Sequence, residues 1–350
     1  MRDIEFHNRE KEIKEIGAIQ DSRPTLITFI YGPINSGKTE LINHVIEDLP
    51  DDYVVFYINL RTKFLASYDD FIESLFEMEM ESERVPKKGK ETLAELVSSV
   101  TKVAGIPINK EFLDYVFKDN KPKNAFSYII KLFEEVKNSG KQPVLILDEL
   151  QKIGDVNVNG SLIYELFNFF IDLTKEKHLA HVFVATSDSL FIEEVHSEAM
   201  LEGRCRYLLV DDFDRETTTA FLKKHGFTDN ENVIAWEYCG GKPVCLVELV
   251  NAKINGKDVE SEAKKLLKIR TSQILSIFDE ISLGKVEYSE QDIIGEFKSF
   301  EQEELLQYDR INKEKIFLVG RNVFFIDPTQ RTIKPQSRLN LLAIREVLRN

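Results

Sequence analysis

Residues 25–41 read TLITFIYGPINSGKTEL, and the interpretation of this stretch decides the fold. Thr25–Ile30 is an apolar, β-branched run of the kind that forms a strand buried on both faces. Gly32, Gly37, Lys38 and Thr39 follow at the offsets of GxxxxGK(S/T), and the pattern SGKTELINHVIEDL has helical spacing. The chemistry explains the offsets. Main-chain N–H groups can wrap an anion only where side chains do not crowd the turn, which accounts for Gly32 and Gly37. The helix opening there adds its N-terminal amides and dipole. Lys38 is predicted to reach the β- and γ-phosphates of a nucleotide, and the Thr39 hydroxyl to bind Mg²⁺. The predicted contact is the whole loop: Gly32, Pro33, Ile34, Asn35, Ser36, Gly37, Lys38, Thr39 and Glu40. A harmless glycine-rich turn is the alternative.

A polyphosphate with its metal needs a second, acidic element. PVLILDELQKI, residues 143–153, supplies one as a second apolar run ending in Asp148 and Glu149. Asp148 is expected to support Mg²⁺ through its water shell, and Glu149 to polarise an attacking water as general base. An ordinary turn that happens to cap a strand is the alternative. In parallel α/β folds the strand ends share one edge, which would bring this pair to the loop.

Similar apolar runs at 53–60 and 180–187 complete a set of four strands, with helical patterns after the first and third. Strands alternating with helices imply βαβ units and a doubly wound α/β core. An insertion over about 64–138 carries three segments expected to be helical: YDDFIESLFEMEM, ETLAELVSSVTKVAG and AFSYIIKLFEEVKNSG. They suggest a helical subdomain on one edge of the sheet. Beyond residue 210 come consecutive helical patterns joined by glycine-containing turns. In the tail, QDIIGEFKSF and EELLQYDRIN are predicted helical, KIFLVGRNVFFIDP a hairpin about GRN, and SRLNLLAIREVL a last helix. That order fits a winged-helix module. The expected division is an α/β core over 1–210, a helical lid over 211–268 and a winged-helix-like domain over 269–350.

Charge narrows the partners. The 350 residues carry 46 Lys+Arg against 60 Asp+Glu, a net charge of −14, which disfavours loose binding of polyanions over the whole surface. Residues 310–350 reverse the sign, with nine Lys+Arg against three acids, a local +6 that leaves −20 for the rest (−14 minus +6). Either this tail neutralises phosphates of duplex DNA, or it docks onto an acidic surface of the same chain or of a protein partner. No uncharged apolar run of about 18 residues occurs and the start lacks a signal-peptide core, so a cytoplasmic protein without membrane contact is expected. Cys205, Cys239 and Cys245 show no metal-ligand spacing and are expected as reduced thiols.

The loop, LILDELQ, the opening FHNREKEI and CGGKPVCLVEL together resemble the archaeal ATPase family of the STAND branch of AAA+ proteins, relatives of the initiator ATPases. The likeness covers about residues 4–250. It implies a P-loop, AAA+-like ATPase that uses ATP, ADP and Mg²⁺. It also implies that Asn8 and Arg9, from the family's Asn-Arg-Glu signature, lie beside the adenine; a surface charge network is the alternative. The polar residue closing the fourth strand, Thr186 or Ser187, would sense the γ-phosphate, unless it only caps a helix. Pro243 of the Gly-x-Pro motif would pack near the base or ribose, unless it only starts a helix. Arg204 or Arg206, just before the lid, would stabilise charge on the γ-phosphate, unless both are solvated. Two functional classes follow. One is a slowly hydrolysing, nucleotide-dependent switch coupled to its C-terminal module. The other is a DNA-binding initiator-like or mobile-element protein in which ATP licenses duplex binding.

Overall fold

The computed structural model describes residues 4–78, 102–108, 116, 121–155, 161–197 and 201–349. Up to residue 210 its strands are β1 (Ile27–Tyr31), β2 (Tyr53–Asn59), β3 (Phe76–Met78), β4 (Lys102–Ala104), β5 (Ile106–Ile108), β6 (Gln142–Asp148), β7 (His181–Thr186) and β8 (Cys205–Leu209). Six of them form one sheet in the order β4-β2-β6-β7-β1-β8, parallel at every pairing. The four expected strands are its centre. Phe29, Phe56, Leu145 and Val182 enter one core, which helices Lys121–Asn138 and Ser161–Ile171 cover with Phe133 and Phe170. Ile30, Val55, Ile146 and Phe183 enter the other, beneath Ile16 of helix Glu10–Gln20 and Leu41 of helix Lys38–Glu47. Successive side chains alternate between two dry faces, so the sequence of each central strand is an unbroken apolar run.

The insertion is not wholly helical. YDDFIESLFEMEM is helix only over Tyr68–Ser74 and then becomes strand β3, which pairs with β5. The end of ETLAELVSSVTKVAG forms β4, which pairs with Val55–Tyr57 of β2; the preceding part of that segment lies outside the described residues. An otherwise open edge of β2 presents backbone N–H and C=O groups that need partners, and β4 supplies them. AFSYIIKLFEEVKNSG lies in helix Lys121–Asn138, as expected.

Lid helices Arg215–Lys224, Asp229–Cys239 and Pro243–Ile254 follow the expected pattern. Thr228 and Glu231 close a capping box on the second, and Pro243 takes the first position of the third. The fourth, Val259–Ser282, is a single helix of 24 residues that runs through the expected lid boundary at 268/269. Its first turns bury Val259 and Ala263 with the lid, and its later turns bury Ile274 and Ile277 with the tail. One element therefore belongs to two cores.

The tail contains helix Glu290–Lys298, β9 (Leu306–Gln307), helix Lys313–Gly320, β10 (Phe324–Asp327), β11 (Thr332–Pro335) and helix Arg338–Val347. β10, β11 and β9 make a three-stranded antiparallel sheet. Two expectations are corrected. EELLQYDRIN is not a helix, because Leu306 and Gln307 pair with Ile333 and Thr332. KIFLVG is helical rather than the first arm of a hairpin: the Asn312 side chain accepts from the Lys315 amide and caps it, which outweighs the strand propensity of Ile, Phe and Val. The hairpin lies one segment later, joining β10 to β11.

This module rests on the carboxyl edge of the main sheet. Phe325 enters the first core, the Tyr31 hydroxyl donates to Asp327 at 2.8 Å, Tyr308 donates to Glu193 at 2.9 Å, and Lys334 pairs with Asp211 at 2.6 Å. No helix among the described residues is long and apolar enough to cross a membrane.

Candidate functional site

The loop of residues 32–37 leaves the carboxyl end of β1 and opens into helix Lys38–Glu47 through Gly37, whose φ of 94° is left-handed. Gly32 is needed for a different reason. A Cβ there would lie 2.1 Å from the Val210 carbonyl oxygen, so any side chain would drive the loop off the segment that follows β8. Lys38 is buried, and its ammonium donates to the carbonyls of Gly32 at 3.0 Å and Pro33 at 2.9 Å. Burial, helped by the nearby Lys242 ammonium, brings Lys38 down to about 7 despite the opposing carboxylates. A buried cation of this kind is stabilised by an incoming anion.

Asp148 closes β6 beside the loop, where its Oδ2 accepts from the Thr39 hydroxyl and from the Tyr57 hydroxyl, both at 2.9 Å. Burial raises its pKa, and those two hydrogen bonds oppose the rise. Thr39 and Asp148 thus offer hard oxygen donors next to each other at the mouth of the loop, a set that suits Mg²⁺. Glu149 has a φ of 63°, a left-handed value uncommon for a residue with a side chain. Its carboxylate is held by the Arg61 guanidinium on one oxygen and by the Gln151 amide at 2.6 Å on the other. Gln151 in turn accepts from Thr186 at 2.8 Å, so a hydrogen-bonded chain joins the end of β7 to the acidic pair. Ser187, next along, lines the cavity between loop and lid.

That cavity has a volume of about 340 Å³. Asn35, Gly37, Lys38, Thr39 and Glu40 form one wall, Arg61 and Glu149 another, and Pro243, Val244 and Val247 an apolar third. Charged and amide groups at one end with an aliphatic wall at the other suit a polyphosphate carrying a flat base.

The other expected residues sit less directly. Arg9 is buried against the outside of the loop, donating to the Ser36 carbonyl at 2.6 Å and to Glu12 at 2.9 Å, and it stacks 4.7 Å over Phe213. Asn8 donates to Thr217 of the first lid helix at 3.0 Å. Arg204 and Arg206 lie away from the loop of their own chain. In the parallel register Cys205 and Arg206 face Ile27 and Thr28, whereas Leu209 faces Tyr31 at the phosphate end. Three residues of strand, about 10 Å, separate Arg206 from that end.

Arg61, Tyr57, Asp212 and Lys242 are site residues that sequence reasoning misses. Lys242 stands inside the Gly-x-Pro motif, but its role depends on a contact with Ile34, 208 positions earlier. No local pattern announces such a pair.

With this geometry in view, comparison with known proteins is decisive. Residues 6–249 match the model of an ATPase domain found predominantly in Archaea. The chain belongs to this archaeal ATPase family. Residues 260–348 match the C-terminal domain of MJ1010-like uncharacterized ATP-binding proteins. An uncharacterized ATP-binding protein of Pyrococcus abyssi is 49% identical to this archaeal ATPase over 343 residues, 98% of each chain. Another, from Methanocaldococcus jannaschii, is 48% identical over 353 residues, covering 99% of this chain and 98% of its own. Among solved structures, a Walker-type ATPase of Pyrococcus abyssi superposes with a TM-score of 0.64 at 16% identity, covering 97% of this chain and 96% of its own. The ORC2 protein of Aeropyrum pernix, solved as ADPNP–ADP complexes, gives 0.51 at 13% identity, covering 99% and 94%. At these identities the likeness concerns the fold, a P-loop ATPase sheet with an all-chain counterpart.

Proposed function

We propose that this archaeal ATPase binds Mg-ATP between loop and lid, hydrolyses it slowly, and acts as a nucleotide-dependent switch of the STAND type. In this reading the core spans 1–210, the lid 211–268 and a winged-helix-like module 269–350. One observation carries it: Thr39, Asp148, Glu149, Gln151 and Thr186 converge on the mouth of a glycine loop whose lysine is buried and, among the described residues, bonds to main-chain carbonyls rather than to a carboxylate.

The loop amides and Lys38 take the β- and γ-phosphates, and Pro243 with Val244 and Val247 takes the base or ribose. Thr39 would hold Mg²⁺ directly and Asp148 through water, where the metal would supply charge neutralisation for the phosphates. Glu149 orients the attacking water and accepts its proton. Thr186, at the end of β7, reports on the γ-phosphate through Gln151, and Ser187, next along, does so from the cavity wall. Arg61 and Gln151 each hold one oxygen of Glu149, so an attacking water would share the carboxylate with two standing donors, which suits modest turnover. Arg204 and Arg206 fit charge donation to a neighbouring molecule better than to their own loop.

The basic tail supports coupling within the chain over free duplex contacts. Lys313, Lys315, Arg321, Lys334 and Arg338 pair with Glu314, Glu296, Glu280, Asp211 and Glu304. Arg331 and Arg345 bond to main-chain carbonyls. Calorimetric titration with ATP and Mg²⁺ tests the reading. Wild type should bind, and Lys38→Ala should lose at least about a hundredfold in affinity, as expected when a buried phosphate contact is removed. Equal affinity in both proteins would reject the site.

A further inference from the structure

Three cations hold the carbonyls of the phosphate loop: Lys38 from the cavity side, and Lys242 and Arg9 from outside the cavity lining. Lys38 binds those of Gly32 and Pro33, Lys242 that of Ile34 at 3.0 Å, and Arg9 that of Ser36 at 2.6 Å. A trans peptide is planar, with its C=O and N–H on opposite sides. A carbonyl pinned outward therefore turns the next residue's N–H inward: Asn35 after Ile34, Gly37 after Ser36. Asn35 and Gly37 both line the cavity.

Of the three cations, only Lys242 comes from the lid. It immediately precedes helix Pro243–Ile254, its side chain is 3% exposed, and its charge is matched by Asp212 at 2.9 Å. Without that carboxylate a buried ammonium would be costly. The turn is fixed from both sides. The Phe213 amide donates to the Gly241 carbonyl at 2.9 Å, and a Cβ on Gly241 would stand 1.7 Å from the Phe213 carbonyl oxygen. Pro243 lines the cavity whereas Lys242 does not, so its ammonium acts on the loop and not on a ligand.

We propose that Lys242 is a positioning residue: by pinning the Ile34 carbonyl from the lid, with Asp212 as its counter-charge, it keeps the loop amides aimed inward and makes polyphosphate affinity depend on a docked lid. This rests on the loop being the nucleotide site. Lys38 has to leave its two carbonyls to meet a phosphate, and Lys242 and Arg9 then hold the loop without it.

The test measures the affinity of the full chain for Mg-ATP and for ADP, and its turnover, in wild type, Lys242→Met, Lys242→Arg and Asp212→Asn. Lys242→Met should weaken both nucleotides by the same factor, about tenfold, in the range of coupling between two sites. Turnover at saturating ATP should fall by a smaller factor, the pattern of lost uniform binding. Lys242→Arg should recover most of the affinity. Asp212→Asn, which preserves volume, should weaken binding by about fivefold and serves if the methionine variant does not fold. Unchanged affinity in Lys242→Met or Asp212→Asn overturns the proposal, as does a loss confined to ATP, which would make Lys242 a γ-phosphate contact. A wild type that binds neither nucleotide overturns the site itself, whereas a wild type that binds normally beside an unchanged variant overturns only the role of Lys242.

Discussion

The phosphate loop and the basic tail are both rich in charge, and they treat it in opposite ways. At the loop, Lys38 and Asp148 are buried and held by neutral groups that a ligand can replace: carbonyls and hydroxyls. In the tail, Lys334 and Arg338 are partly exposed and joined to acids of the same molecule. Buried charges held by neutral partners are poised for an ionic ligand, whereas exposed ion pairs contribute little and are screened by salt. Charge content alone does not distinguish a binding site from a docking surface; burial and the nature of the partner do.

Perturbing both regions sharpens the contrast. The largest effect belongs to Glu149→Gln, which should keep ATP bound while turnover falls by about 10²- to 10⁴-fold, the usual contribution of a general base. Single-turnover hydrolysis measured beside binding checks it, and unchanged turnover would remove Glu149 from that role. An intermediate effect is expected where the two regions meet. Tyr31→Phe removes one donor to buried Asp327, which keeps the Thr329 amide and hydroxyl, so denaturant unfolding should show a loss of about 1 kcal/mol. The smallest belongs to Lys334→Ala at the partly exposed pair with Asp211: about 0.5 kcal/mol at low salt, vanishing at about 1 M. A salt-independent loss above about 2 kcal/mol there would erase the distinction drawn between the regions.

Legibility in the sequence follows the range of the interactions. The loop and Asp148–Glu149 are visible because their chemistry needs particular residue types at short, fixed spacing. The central strands are visible because both faces are dry. β8, with its half-buried CRYLL, and β4, only three residues long, sit at the sheet edges, where the apolar signal fades. In the tail, β-branched and aromatic content pointed to a strand at KIFLVG, and one capping side chain, Asn312, made it a helix. Contacts such as Lys242 with Ile34, Arg61 with Glu149 and Tyr31 with Asp327 join positions far apart in the chain. They arise from the way the sheet edge, lid and tail close on one another, which no local spacing records.

The unbroken helix Val259–Ser282 gives this architecture a mechanical property. At 24 residues it is about 36 Å long, a stiff rod rooted at one end beneath the lid and at the other within the tail. A tilt of about ten degrees at its root would sweep the tip through about 6 Å, enough to shift a helix by a full turn against a neighbour. Sub-ångström adjustments around a phosphate would thus be magnified at the far end of the helix by leverage alone, with no need for a relay of side chains in between.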